Sequence, residues 1–299
     1  MIELTVNPDG KLEFYQHTPS PIVYLDNWAL KDIALDSSLA HRLIEAIKRR
    51  SGTLALSWLN FVELSGLGDS RQFQVVASLL ESVTPHIAFL NLIPQAVINQ
   101  ENELLKGAST IGPHLDRDLL RVFAYFRRQS LNPLSVSEFL LGLRDPACGI
   151  IRESSRKFME NLYPLLVQIR KKIATSLKYE ARAKAAPKGP EIPRLTRYIY
   201  QDAARHLARN RIIMTSNHWR DFFHMVVPLA YCNYVLLDRT WATIAKEILG
   251  RIKKSGFQAE TSAVFSPKEL PKFWISLEDP AYNPVLISHT PPADDRCGG

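Results

Sequence analysis

Cysteine is scarce in this chain, which has three cysteines in 299 residues. Cys148, Cys232 and Cys297 are far apart and form neither a CxxC pair nor a Cys/His zinc pattern. We therefore expect neither disulfide bonds nor a structural zinc site. Long apolar segments are also missing: no run approaches the roughly 18 residues of a membrane span, and the N-terminus lacks the basic-then-apolar order of a signal peptide. The sequence predicts a cytoplasmic protein that is not embedded in a membrane.

Some common catalytic patterns are absent too. Gly66-Leu67-Gly68 lacks the spacing and the lysine of a phosphate-binding loop and predicts the end of a helix instead. No serine has the sequence context of a nucleophile elbow, and Cys148 has no evident catalytic partner. The sequence therefore gives no signal for a P-loop or for a serine or cysteine nucleophile.

Positive charge is abundant, and it is concentrated in one region. The net charge is +7, and residues 151–211 contain 15 Lys and Arg residues against five Asp and Glu residues, a surplus of +10 that leaves −3 for the rest. A polyanion partner would explain this surplus, because neutralising phosphates releases counterions. A solvated helix face would explain it as well. If the partner is a nucleic acid, the predicted contacts are Arg170, Lys171 and Lys172.

Alternating strand and helix patterns predict an α/β fold. The alternation around Asn7-Pro8-Asp9-Gly10 is typical of a β-hairpin, and later apolar runs alternate with helix-periodic stretches, which favours a parallel sheet flanked by helices. The predicted parts are an N-terminal β-hairpin (1–16), a discontinuous α/β core (17–107 and 212–289), a basic α-helical insertion (108–211) and a disordered tail (290–299).

Two of the predicted strands lead into an aspartate. Asp26 follows the apolar run 22–25 and Asp238 follows the run 234–237, while Glu63 and Asp221 fall in the early turns of predicted helices. Because strand C-termini and helix N-termini share one edge of a parallel sheet, we expect all four carboxylates to converge there. Such oxygen ligands suit Mg²⁺ or Mn²⁺, which can activate a water towards a phosphodiester. The alternative for Asp26 is a role as the N-cap of the following helix.

Other side chains lie near these acids in the sequence. His218 and His224 flank Asp221, but an isolated histidine is more often a core or surface residue than a ligand, and we expect that here. Three aromatic residues are expected to pack in the core rather than stack on bases: Trp219, Tyr231 and Trp241.

The order of the acids resembles that of PIN-domain nucleases. The matching motifs are Leu25-Asp26, residues 57–64 with Glu63, Arg220-Asp221, and Val235-Leu236-Leu237-Asp238. The 37-residue step from Asp26 to Glu63 and the 17-residue step from Asp221 to Asp238 also suit that family. The resemblance covers about residues 20–100 and 212–275 and implies a PIN-like parallel sheet with an α-helical insertion.

The resemblance implies a metal-dependent endoribonuclease. Members of the family generally cleave RNA with Mg²⁺ or Mn²⁺ held by these acids. Many are RNA-processing enzymes or bacterial toxins, and the toxins are restrained by a protein inhibitor (antitoxin). The four acids would then be both catalytic residues and metal ligands: Asp26, Glu63, Asp221 and Asp238.

Three alternatives stay open. The first is a structure-specific DNA nuclease. The second is a non-catalytic α/β module that binds nucleic acid or protein and uses the acids as helix caps and solvated charges. The third concerns the site: if residues 108–211 are not an insertion, Asp202 competes with Asp221 as the third acid. The sequence predicts no oligomeric state.

Overall fold

The computed structural model describes the greater part of the chain. The described residues are 2–6, 12–107, 112, 114–128, 135–144, 195–209, 215–254 and 261–279, together with the single helical positions 164, 167, 168, 171 and 175. The predicted tail 290–299 and the cysteines Cys148 and Cys297 lie outside these residues. Cys232 is described as a buried free thiol.

The described strands form one small and one large sheet. The strands are β1 (Ile2–Val6), β2 (Leu12–Gln16), β3 (Ile22–Leu25), β4 (Thr53–Ser57), β5 (Ile87–Leu90), β6 (Tyr234–Leu236) and β7 (Ala263–Phe265). β1 and β2 pair antiparallel as the expected hairpin. The other five strands form an all-parallel sheet in the order β5-β4-β3-β6-β7. The predicted α/β class is therefore confirmed, and the sheet is consistent with a PIN-like fold.

Eleven α-helices are present in the described residues. They are α1 (Asn27–Leu35), α2 (Ser37–Arg49), α3 (Trp58–Ser65), α4 (Ser70–Ser82), α5 (Pro94–Leu105), α6 (Arg117–Arg128), α7 (Val136–Arg144), α8 (Leu195–Arg209), α9 (Ser216–Tyr231), α10 (Arg239–Lys254) and α11 (Leu270–Glu278). Two short 3₁₀ turns lie at Thr84–His86 and Pro267–Glu269. None of the described helices is long and apolar enough to cross a membrane.

Polar side chains at the helix starts fix where several helices begin. Asp36 and Asp69 accept hydrogen bonds from the first free backbone N–H groups of α2 and α4. Ser57 and Asn60 form a reciprocal capping box at the start of α3. These contacts satisfy backbone donors that a helix leaves unpaired, so the chain turns directly from β4 into α3 without a loop.

Helices cover both faces of the parallel sheet. Side chains of β3 alternate: Val23 and Leu25 face a core shared with α1, α2, α3, α4, α6, α7 and α11. Ile22 and Tyr24 face a second core shared with α5, α8, α9 and α10. The inner strands are buried on both sides, which is why they appear in the sequence as continuous apolar runs.

The described helices of residues 108–211 belong to these two cores and do not form a separate helical body. Phe123 of α6 and Phe139 of α7 meet edge to face, with ring centroids 5.3 Å apart. Phe61 of α3 and Phe89 of β5 complete the cluster, at 5.1 Å from Phe139 and 5.2 Å from Phe123 respectively. α8 packs on the opposite face through Ile199. The boundaries of an insertion at 108 and 211 stay a prediction.

The strand order places a topological switch in the middle of the sheet. From β3 the chain moves outward through β4 to β5, and it returns to β6 on the other side of β3 before reaching β7. In open α/β sheets ligands bind in the crevice at the carboxyl ends of the two strands that flank such a switch. Here those strands are β3 and β6, the two strands that lead into Asp26 and Asp238.

Candidate functional site

The four predicted acids lie at the carboxyl edge of the parallel sheet. Asp26 directly follows β3, and its backbone N–H donates to the carbonyl of Leu236 in β6 at 3.0 Å. Asp238 stands two residues after β6, next to the start of α10. Glu63 lies in the second turn of α3, and Asp221 lies in the second turn of α9. The parallel topology therefore brings acids that are up to 212 positions apart to one edge, as expected.

The pKa values show that these carboxylates influence one another. Burial raises the pKa of Asp26, which is 9% exposed, and the charges of Glu63 and Asp238 raise it further. Burial also raises the pKa of Asp221, and the charges of Asp26 and Asp238 contribute, so that it reaches about 6. Like charges that raise each other's pKa must be close together in a poorly solvated place. The site thus carries negative charge that is only partly balanced.

Glu63 has a polar partner close to each of its two carboxylate oxygens. Its Oε2 accepts a hydrogen bond of 2.5 Å from Nδ2 of Asn27, and its Oε1 lies 3.7 Å from Nε2 of His224. Burial alone would raise the pKa of Glu63, but His224, Asn27 and the charge of Arg220 lower it below its usual value. Burial would lower the pKa of His224, yet the charges of Glu63 and Asp26 raise it. Glu63 is therefore held in its ionised form.

The amide of Asn27 is itself held in place. Asn60 donates from Nδ2 to Oδ1 of Asn27 at 2.9 Å, and its own Oδ1 accepts from the hydroxyl of Ser57 at 2.8 Å. All three side chains are buried. The capping box that starts α3 therefore continues as a hydrogen-bonded chain to the carboxylate of Glu63.

Trp241 connects the other two acids. Its indole Nε1 donates to Oδ2 of Asp221 at 3.2 Å, and its backbone N–H donates to Oδ1 of Asp238 at 2.9 Å. Its ring is 3% exposed and packs in the core, as expected. One residue of α10 thus orients an acid of α9 and an acid of its own N-terminus.

The four acids supply the type of ligand that a hard divalent cation takes, but they are not arranged as a ready-made metal site. Within the described residues, no group of three or more His, Cys, Asp or Glu side chains is arranged to hold a metal ion. Carboxylate oxygens are nevertheless the preferred ligands of Mg²⁺ and Mn²⁺. Each acid keeps one oxygen that accepts no hydrogen bond from the described residues: Oδ2 of Asp26, Oε1 of Glu63, Oδ1 of Asp221 and Oδ2 of Asp238. A cation would also offset the repulsion that adds to burial in raising the pKa values of Asp26 and Asp221.

Asp202 does not join the four acids. It is buried on α8, where its carboxylate forms an ion pair with Arg205 and accepts a 2.6 Å hydrogen bond from Nε of Arg251. Two arginines balance its charge and engage both of its carboxylate oxygens, which favours Asp221 over Asp202 as the third acid. His218 is not in the site either, because it completes a capping box with Thr215 at the start of α9.

The predicted basic contacts are described only in part. Lys171 is an exposed helical residue, while Arg170 and Lys172 lie outside the described residues. Their role in binding nucleic acid stays a prediction.

His224, Asn27 and Asn60 were not predicted as parts of the site. His224 was expected to be an ordinary core or surface residue, but it is 1% exposed and faces Glu63. A signal was present, since His224 lies three residues after Asp221 on one helix and so shares its face. Asn27 directly follows Asp26, whereas Asn60 offered no signal beyond that of a residue near a helix start.

Comparison with known proteins gave no match: no family model, no curated protein and no solved structure matches this chain. Function must therefore be inferred from the chemistry of the site, and the resemblance to PIN-domain nucleases stays an expectation.

Proposed function

We propose that the protein is a PIN-like, metal-dependent endoribonuclease that hydrolyses phosphodiester bonds with Mg²⁺ or Mn²⁺. One observation carries the proposal: four carboxylates from four elements lie at the switch-point edge of a parallel sheet, where burial and the charges of neighbouring acids raise the pKa values of Asp26 and Asp221. Grouping like charges in this way costs stability unless a cation or a proton relieves it. A divalent cation would both relieve the repulsion between the acids and give them a catalytic role.

In this proposal the four acids hold the cation and the phosphate is held beside it. When bound, the cation makes a nucleophile from water at neutral pH and stabilises the charge of the leaving oxygen. Glu63 is kept ionised, ready to bind a cation, by His224 and Asn27. Two arginines adjoin the acids in the sequence and offer positive charge to the phosphates: Arg220, which already acts on Glu63, and Arg239, which is exposed.

RNA is proposed as the substrate because of the resemblance to PIN-domain nucleases. The basic residues of 151–211 would add sequence-independent phosphate contacts that increase affinity. Structure-specific DNA serves as the comparison substrate, since the same acids could act on either backbone.

A second function is supported by the hydrogen bonds of the acids. Asp26 accepts from the first N–H of α1 at 2.7 Å, and Asp238 accepts from Trp241 N–H in the first turn of α10 at 2.9 Å. These are helix-capping contacts, which a non-catalytic α/β module that binds nucleic acid or protein would need as much as a nuclease would.

A matched pair of cap variants separates the two functions. Asp36 caps α2, as Asp26 caps α1, but Asp36 is exposed and does not belong to the four acids. Asparagine also caps helices well, so Asp26→Asn and Asp36→Asn should both fold. We expect wild-type protein and Asp36→Asn to cleave single-stranded RNA with Mn²⁺ or Mg²⁺ but not with EDTA, and Asp26→Asn to be inactive. If no divalent cation supports cleavage, or if Asp26→Asn cleaves normally, the nuclease proposal fails and the binding module is favoured.

A further inference from the structure

A buried polar side chain lies beside each carboxylate oxygen of Glu63. Asn27, itself held by Asn60, donates to Oε2. On the other side, Oε1 faces Nε2 of His224 at 3.7 Å, and Nδ1 of the same ring is hydrogen-bonded to the hydroxyl of Tyr24. The first chain of contacts joins α1 to α3, the helix that carries Glu63, whereas the second crosses from β3 to α9.

The Tyr24 contact determines what His224 presents to Glu63. Tyr24 is fully buried, and a tyrosine hydroxyl carries its proton at neutral pH. For the neutral ring we infer that the hydroxyl donates to Nδ1 and that the ring proton is on Nε2, where it faces the negative charge of Glu63. When the ring is protonated, Nε2 carries a proton as well. Glu63 therefore meets an N–H group in either case and not a lone pair.

The ring is also fixed in orientation. His224 is 1% exposed, and its ring lies 6.0 Å from the ring of Tyr24, between centroids. Its Nε2 accepts or donates no hydrogen bond within the described residues. Nε2 of His224 lies 3.7 Å from Oε1 of Glu63, which is too far for a hydrogen bond. Its N–H can therefore orient Oε1 electrostatically while Oε1 stays available to a metal ion.

We propose that Tyr24 and His224 are positioning residues that hold Oε1 of Glu63 open towards a divalent cation. This inference rests on the proposed function, because it assigns the two residues to the metal site of that function. Neither residue is one of the four acids, and both act through Glu63. Partners that orient metal ligands in this way typically change metal affinity roughly 10- to 100-fold when they are removed.

Tyr24→Phe tests the inference with the smallest change, because it removes only the hydroxyl. The matched control is Tyr234→Phe: Tyr234 is also fully buried, and it lies on the neighbouring strand β6. Its hydroxyl points into the other core and donates to the carbonyl of Ser276 at 2.9 Å. We expect Mn²⁺ affinity, measured by calorimetry, to fall about tenfold or more in Tyr24→Phe. Tyr234→Phe should bind Mn²⁺ as wild-type does, although it too loses a hydrogen bond, one that is partly buried.

Asp26→Asn distinguishes a failure of this inference from a failure of the proposed function. If wild-type binds Mn²⁺, Asp26→Asn does not, and Tyr24→Phe binds like wild-type, only the positioning role is wrong. If wild-type does not bind Mn²⁺, or if Asp26→Asn binds as well as wild-type, both the proposed function and the positioning role are wrong.

A measurement on unaltered protein covers the case in which Tyr24→Phe fails to fold. The ¹⁵N chemical shifts of His224, assigned by their loss in His224→Gln, report which ring nitrogens carry a proton. We expect a protonated Nε2 in the metal-free protein at pH 6 to 8. A bare Nε2 would overturn the inference, because the ring would then present a lone pair to Glu63.

Discussion

Glu101 should make the stability of the protein depend on pH. It lies on α5, is 3% exposed, and accepts hydrogen bonds from Thr196 of α8 at 2.5 Å and from Tyr231 of α9 at 2.8 Å. Both bonds go to Oε1, while Oε2 is buried with no hydrogen-bond partner in the described residues. Burial raises the pKa of Glu101 from 4.5 to about 7, although the two hydrogen bonds oppose the shift.

The sign follows from the raised pKa of the folded state. Below about pH 4.5 the carboxyl is protonated in both the folded and the unfolded chain, and its contribution to stability is complete. As the pH rises, the unfolded chain loses the proton first, so the free energy of unfolding falls until the pH has passed about 7. At about 1.4 kcal/mol per pKa unit, the total loss is about 3 kcal/mol. Most of it, roughly 2 kcal/mol, falls between pH 5 and pH 8.

Glu101→Gln removes this dependence and keeps an oxygen that accepts from Thr196 and Tyr231. The difference in unfolding free energy between the variant and wild-type should therefore move by roughly 2 kcal/mol in favour of the variant from pH 5 to pH 8. Urea denaturation followed by tryptophan fluorescence at several pH values measures it, and distant titrating groups cancel in the difference. Glu103→Gln, exposed on the same helix, is the control and should follow wild-type. A Glu101→Gln difference that stays constant across this range would show that Glu101 is already ionised in the folded protein.

Three further predictions concern the core, the acids and the basic segment. Phe139→Ala should reduce the unfolding free energy by about 3–5 kcal/mol, because the ring packs edge to face on Phe61 and Phe123; a loss below about 1 kcal/mol in chemical denaturation would contradict the place of α7 in the core. Asp221→Asn should make the metal-free protein about 1–2 kcal/mol more stable at pH 8, because it removes a carboxylate whose pKa of about 6 reflects burial and repulsion. The variant should also lose the stabilisation that Mn²⁺ gives to wild-type. Equal increases of the melting temperature with Mn²⁺ in both proteins would refute this. Changing the three residues Arg170, Lys171 and Lys172 together to Ala should reduce the slope of log K against log salt by roughly 2–3 for RNA binding; an unchanged slope in filter binding would leave the segment as a solvated helix face.

The sheet and the four acids could be predicted because their signals are local. A strand that is buried on both faces must be apolar throughout, so the runs before Asp26 and Asp238 stand out in the sequence. Parallel topology then places the ends of these strands on one edge whatever the length of chain between them. The packing of α6 and α7 could not be predicted in the same way, because an apolar helix stripe is the same whether it faces a sheet or another helix.

The partners of the acids depend on contacts between distant positions. Tyr24 and His224 are 200 positions apart, and each reads in the sequence as an ordinary core residue. Glu101 and Thr196 are 95 positions apart, and neither lies in a motif. Their roles come from which helices meet on the α9 face of the sheet, and a single sequence carries no pattern for that.

The most direct measurement of the central claim is a crystal structure of the protein grown with Mn²⁺, with anomalous data that locate the cation. The account predicts an anomalous peak at the carboxyl edge of β3 and β6, within about 2.0–2.3 Å of oxygens from at least two of the four acids, with waters completing the shell. Asp26→Asn crystals under the same conditions should lose the peak. The account would be contradicted if the wild-type map had no anomalous peak at this edge and Asp26 and Asp238 contacted only the N–H groups of the helices that they cap.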